Sequence, residues 1–153
     1  MPLEIERKFL VISDIYKDNA QSSNIKQAYL SVTEEMAIRV RIDGIQGSLA
    51  IKSKISDRVN REYEYSIPVD EARSLMNLGD LPIIRKTRYL VEYEGFTWEV
   101  DEFHDDNHGL FVAEIELNAE NDIFNKPPWI GEEVTADYRY LNSNLAVNPI
   151  SKW

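Results

Sequence analysis

A chain of 153 residues with 27 acidic against 17 basic side chains carries a net charge of −10, and 43% of it is hydrophobic. That balance suits one folded domain, expected over residues 1–153, and argues against a general nucleic-acid binder, because phosphate backbones select basic surfaces. The absence of cysteine excludes disulfides and thiolate metal sites, and the apolar runs are far too short to span a membrane as helices.

In chain order, alternation of apolar and polar residues predicts a first strand near 2–12, then a short helix opened by Ser13 or Asp14. Strands near 25–32, 36–43, 47–54 and 61–67 follow, with a turn at Asp43-Gly44. Asp70 is expected to cap a helix from Glu71 to Leu78 that Gly79 stops. Further strands fall near 84–93, 96–103 and 110–117, the first two joined at Glu94-Gly95, and a last helix is expected over 136–146. Leu75 and Leu78 give the middle helix an apolar face, as Tyr138, Leu141 and Leu145 do for the last one. The class is α+β: an antiparallel meander of eight strands with helices packed outside it.

The charges fall in step with the strand period. Glu4, Glu6 and Lys8 lie two apart, so they share one face while Ile5 and Phe9 support the other. The spacing recurs with changing sign: Arg39 and Arg41, Lys52 and Lys54, Glu62 and Glu64, Lys86 and Arg88, Glu99 and Asp101, Glu114 and Glu116. The residues between them are largely apolar. If the strands close on themselves with the apolar sides outward, the interior is lined by charge, the inverse of a small barrel filled with apolar side chains. Buried ions cost several kcal/mol each unless they are paired or bind counter-ions. Rows of opposite sign meet that condition during folding, and a metal-bound polyanion meets it in function. Adjacent carboxylates hold a divalent cation, and a lysine one step further on holds an anion beside it.

With these residues in place the chain resembles a triphosphate tunnel metalloenzyme of the CYTH superfamily. The opening Glu4-x-Glu6-x-Lys8 matches that family's signature. Arg39-Val40-Arg41, Ile51-Lys52, Glu62-Tyr63-Glu64, Lys86-Thr87-Arg88-Tyr89, Trp98-Glu99-Val100-Asp101 and Ala113-Glu114-Ile115-Glu116-Leu117 follow in the family's order. The resemblance implies a closed eight-stranded antiparallel barrel with a charged tunnel. It also implies a metal group of Glu4, Glu6, Asp101, Glu114 and Glu116 that holds Mg2+ or Mn2+, and phosphate contacts from Lys8, Arg39, Arg41, Lys52, Lys86 and Arg88. Glu4, Glu6 and Lys86 are the expected catalytic set, and Glu62 and Glu64 the supporting acids. Tyr29, in a family-like Gln27-Ala28-Tyr29-Leu30 segment, is placed either to donate to a phosphate or to pack in the core. Lys54 serves a phosphate or pairs with a surface acid. Asn60 stands where family members commonly carry arginine, which leaves that contact unassigned.

The reaction implied is hydrolysis of tripolyphosphate to pyrophosphate and phosphate, without a covalent intermediate. Other triphosphate-bearing small molecules are the alternatives: nucleoside or thiamine triphosphate hydrolysis, class IV adenylate cyclisation, or a non-catalytic polyphosphate or nucleotide sensor. The acidic N-terminal stretch lacks a signal-peptide layout, so the cytoplasm is the expected location, and small family members are often homodimers. His104 and His108 have the spacing of a zinc pair, but Asp105-Asp106-Asn107-Gly109 around them reads as a polar turn. Trp129 reads as a packing anchor, and Gly131 to Thr135 as a C-terminal segment without assigned chemistry.

Overall fold

The computed structural model describes residues 3–153. Its strands are β1 (Leu3–Val11), β2 (Gln21–Val32), β3 (Met36–Asp43), β4 (Gln46–Lys54), β5 (Val59–Ile67), β6 (Ile84–Tyr93), β7 (Phe96–Phe103), β8 (Phe111–Leu117) and β9 (Ile130–Glu133). Two α-helices, α1 (Val69–Met76) and α2 (Asn142–Val147), join them, with short 3-10 turns between. The sheet runs β5-β4-β3-β2-β6-β7-β8-β1-β9, and an added pairing of β5 with β1 closes its first eight strands into an antiparallel barrel. Residue 2, the expected start of the first strand, lies outside the described residues. Among the described residues no helix is long and apolar enough to cross a membrane.

Strand alternation sets what faces in and what faces out. Phe9, Trp98, Val100, Ala113 and Ile115 point outward and pack beneath Tyr16, Phe124 and Trp129. Trp129 therefore sits in an aromatic cluster, with its ring 5.8 Å from Trp98 and 5.4 Å from Tyr16. Ala28, Val40 and Ile42 point out on the other flank, under Ala72 and Met76 of α1. The inward rows change character towards one end. Lys86 gives way to Ile84, Asp101 to Phe103 and Glu114 to Val112, and these apolar side chains meet Tyr140, Leu145 and Ala146. The C-terminal segment thus closes one end of the barrel.

Several elements differ from expectation. The helix expected after Ser13 is a single 3-10 turn at Ile15–Asn19. Helix α1 begins two residues before Glu71, directly after Pro68, so Asp70 lies in its first turn, where its charge suits the helix dipole. Gly79 does not stop α1, which ends at Met76; a Cβ there would lie 2.8 Å from the Tyr29 carbonyl oxygen, so the residue serves a close backbone approach. Leu78 is exposed. The expected helix over 136–146 splits into a 3-10 turn at Tyr138–Tyr140 and the six-residue α2. Within it Tyr138 is 68% and Leu141 44% exposed, and Leu145 is fully buried over the barrel end rather than its flank. At the Glu94-Gly95 hairpin both residues have positive φ, 46° and 86°, the geometry of a type I′ turn.

Candidate active site

Every inward charge is placed by register. Strand β1 pairs Glu6 with Glu116 and Lys8 with Glu114 on β8, while Glu4 pairs with Asn60 on β5. Strand β7 sets Glu99 opposite Glu114, and β6 sets Arg88 opposite Asp101. The result is a cavity of about 330 Å³. Glu4, Glu6, Lys8, Tyr29, Arg39, Arg41, Lys52, Glu62, Glu64, Lys86, Arg88, Glu114 and Glu116 all line it, as do Gln27, Lys54, Asn60, Glu99 and Asn142.

The acids and bases are interlocked. Lys52 Nζ lies 3.0 Å from Glu4 Oε1 and 3.2 Å from Glu62 Oε2. Arg39 reaches Glu64 at 3.0 Å, and Arg88 reaches Glu99 at 2.8 Å. Burial pushes the Glu4 carboxyl up to about 7, with Glu62 adding to the rise and Lys52 opposing it. Burial likewise holds Glu6 well above the carboxylate range, and Glu114 beside it adds to the effect. Glu114 goes the other way: burial would raise it, but Lys8 and the hydrogen bond from Glu6 bring it down to about 2. The shifts of the two carboxyls are tied to one another, Glu6 upward and Glu114 downward. Burial also lowers the Lys86 ammonium to about 7 against the pull of Asp101, and takes Arg41 down to about 10 with help from Arg39 and Arg88.

Asp101, one of the metal group that the resemblance implies, lies among bases. Arg88 Nε and Nη2 donate to its two oxygens at 2.8 and 3.0 Å, and Lys86 Nζ stands 2.8 Å away. Those cations hold it well below the carboxylate range despite full burial, and it does not line the cavity. We assign it to holding the two bases. Lys54 lines the cavity and pairs with Asp57 at 3.2 Å, where both side chains are about half exposed. Tyr29 is buried and its hydroxyl accepts from Gln27 Nε2 at 3.2 Å. His104 lies 2.8 Å from the Thr87 hydroxyl, beside a 3-10 turn at Asp105–Asn107, so the polar-turn reading describes this segment.

Among the described residues no three acidic or histidine side chains are already gathered into a cage for an ion; the acids stand in pairs against bases. A divalent cation nonetheless fits the donor set. Glu4 Oε1 is buried, and its nearest cation is Lys52 Nζ at 3.0 Å. Glu6 and Glu114 lie close enough for their charges to oppose one another, a repulsion that a cation between them would relieve. All the ligands on offer are carboxylate oxygens, which suit magnesium or manganese. On the opposite side of the charge balance, Arg39 Nε is a buried donor without a partner among the described residues.

Sequence reasoning gave no role to Gln27 or Asn142. Gln27 had a signal, its phase with Tyr29 on β2. Asn142 had none, because only the packing of α2 over the barrel end brings it to the lumen.

A closed barrel whose lumen sets carboxylates against ammonium and guanidinium groups defines a tunnel for a metal-bound polyanion. The chain belongs to the CYTH domain family, whose model matches residues 2–146. It is 49% identical over 150 residues to an inorganic triphosphatase of Acetivibrio thermocellus, covering 97% of this chain and 96% of that one. An inorganic triphosphatase of Nitrosomonas europaea is 34% identical over 150 residues, 95% and 97% of the two chains. The crystal structure of an inorganic triphosphatase aligns with a TM-score of 0.69 at 34% identity, over 94% of each chain.

Proposed function

We propose that this chain hydrolyses inorganic tripolyphosphate to pyrophosphate and phosphate inside its barrel, with Mg2+ or Mn2+ held by Glu4, Glu6, Glu114 and Glu116. The observation that carries the reading is two sets of opposite charge lining one cavity: the carboxylates of Glu4, Glu6, Glu114 and Glu116, and the bases Lys8, Arg39, Arg41, Lys52 and Arg88. A metal-complexed phosphate chain satisfies both at once. The two relatives named inorganic triphosphatase, matched along nearly their whole length, support the choice of substrate.

Lys8, Arg39, Arg41, Lys52 and Arg88 bind the phosphate oxygens, the arginines through paired N–H groups and the lysines as compact charges. Their fixed positions stabilise the charge that spreads over the transferred and leaving phosphates. When bound, the cation neutralises phosphate charge and orients the chain. A water oxygen attacks the terminal phosphorus in line, the bridging P–O bond breaks, and pyrophosphate departs. The proton lost by the water needs an acceptor of matched basicity. Lys86 Nζ, brought down to about 7, exchanges a proton near neutrality, and we give it that part. Glu62 and Glu64 keep Lys52 and Arg39 oriented.

The test is phosphate release from tripolyphosphate, ATP and thiamine triphosphate in parallel, each with magnesium and with manganese. Tripolyphosphate is expected to be turned over fastest, and both Glu4→Gln and Lys86→Ala to lose that turnover. Faster turnover of ATP or thiamine triphosphate, or a cyclic nucleotide product, would overturn the substrate assignment. Tight binding of tripolyphosphate without turnover would make the chain a sensor.

A further inference from the structure

The segment that closes the apolar end of the barrel carries no charge at its points of contact, yet it touches the machinery of three bases. The Tyr140 carbonyl accepts from Lys8 Nζ at 3.1 Å. Asn142 Oδ1 accepts from Lys86 Nζ at 2.8 Å and from Gln27 Nε2 at 3.0 Å. Gln27 Oε1 in turn accepts from Arg41 Nε at 3.0 Å and Nη2 at 2.7 Å. Lys86 is 2% and Gln27 0% exposed, so water does not compete for these bonds.

A donor count shows what this arrangement accomplishes. A lysine ammonium has three N–H groups on a flexible stem, and its direction is whatever its acceptors dictate. Asp101 takes one and Asn142 a second, leaving one position of Lys86 Nζ, an N–H towards a phosphate when charged or the lone pair towards an attacking water when neutral. Gln27 spends its two amide hydrogens on Tyr29 and Asn142, which turns its oxygen towards the Arg41 fork. Among the described residues Arg41 then has two of its five N–H groups engaged by Gln27, with others left to point into the lumen. One side-chain oxygen on the C-terminal segment therefore orients Lys86 directly and Arg41 through Gln27.

We infer that Asn142 is a positioning residue of the phosphate-transfer site: its side-chain oxygen aims Lys86 and, by way of Gln27, Arg41, so residues 140–142 complete the site as well as closing the barrel. The inference rests on the triphosphatase reading above. It differs from mere docking of α2, for which Leu145, fully buried over Phe103 and Ile84, provides the anchor.

The experiment compares kcat, KM and melting temperature for wild type, Asn142→Leu, Gln27→Met and Leu145→Ala. Asn142→Leu keeps the side-chain size and removes the acceptor. Gln27→Met removes the arm to Arg41 together with the bonds to Tyr29 and Asn142, and leaves the bond from Lys86 to Asn142. A kcat about tenfold lower in Asn142→Leu, with a melting temperature near wild type, is expected from losing one charge-assisted bond. Leu145→Ala is expected to melt lower yet keep kcat. Wild-type kcat and KM in Asn142→Leu overturn the inference. So does a loss of activity that follows melting temperature alike in Asn142→Leu and Leu145→Ala. Should Asn142→Leu not fold, Gln27→Met decides alone: raised KM or lowered kcat supports the inference and wild-type kinetics overturns it. Wild-type turnover of tripolyphosphate tests the functional reading separately. If wild type turns over another triphosphate, the same ratios are read on that compound. If it turns over none, they are read as tripolyphosphate affinity by calorimetry.

Discussion

Replacing Asp101 separates the two roles open to a buried carboxylate in this lumen. Asp101 is 2% exposed and receives three short contacts, two from Arg88 and one from Lys86. Asp101→Asn preserves the volume but leaves one oxygen for three donors, and turns an amide N–H₂ towards cations that can only donate. Removing one partner of a buried ion cluster costs about 3–5 kcal/mol. For a chain of 153 residues that corresponds to a fall in melting temperature of roughly 6–20 °C. The loss should be the same in chelator as with magnesium, because the defect lies in the protein's own ion pairs. The carboxyl is held well below its ordinary range, so its contribution is complete above the unfolded value near 3.8 and fades only as the pH falls further. Thermal melts in chelator and in magnesium at pH 7 measure both effects. If Asp101→Asn melts within about 2 °C of wild type in chelator and instead loses the rise caused by metal, Asp101 is a metal ligand and its assignment here is wrong.

Three further outcomes are expected. Wild type should gain about 2.7 kcal/mol when magnesium or manganese reaches a hundred times its dissociation constant, which reads as roughly 5–10 °C in a thermal melt. Glu4→Gln and Glu6→Gln should lose that gain while melting near wild type in chelator, because both carboxyls are held up by burial and are easily replaced by an amide; a retained metal shift would exclude them as ligands. On the outer surface, the hydrogen bonds from Arg7 bring Glu133 down to about 2, with the Thr135 hydroxyl adding to the effect. This lowered carboxyl stabilises the fold above its unfolded value of 4.5, and the contribution is lost as pH falls towards 2. Glu133→Gln should therefore cost about 1 kcal/mol at pH 7 and flatten the acid limb of a pH–stability curve, which a parallel fall of both proteins in acid would contradict.

The strands were legible because their signal is local. Alternation over Ile38 to Ile42 or Ala113 to Leu117 allows one phase only, and that phase puts the charges on the inner face. Strand β9 escaped notice because it has four residues and exists through its pairing with the end of β1. Its Gly131 is dictated by that neighbour, since a Cβ there would lie 2.7 Å from Ile12 Cγ2. The start of α1 was misread because Asp70, a good cap by composition, is outranked by Pro68, whose fixed φ ends the preceding strand and launches the helix at Val69.

The site shows the same division between local and distant information. That Glu6, Lys8, Arg88, Asp101 and Glu114 face one side of their strands follows from period 2. Which acid meets which base does not, because it depends on how far each strand slides against the next. The slide that sets Arg88 opposite Asp101 commits that carboxylate to a base, and the slide that sets Lys8 opposite Glu114 brings Glu114 within reach of Glu6. A shift of two residues in either pairing would keep every side chain on its face and exchange those partners. The spacing of charges along the chain thus specifies a charged lumen, and the register of the closed barrel decides which acid each base meets.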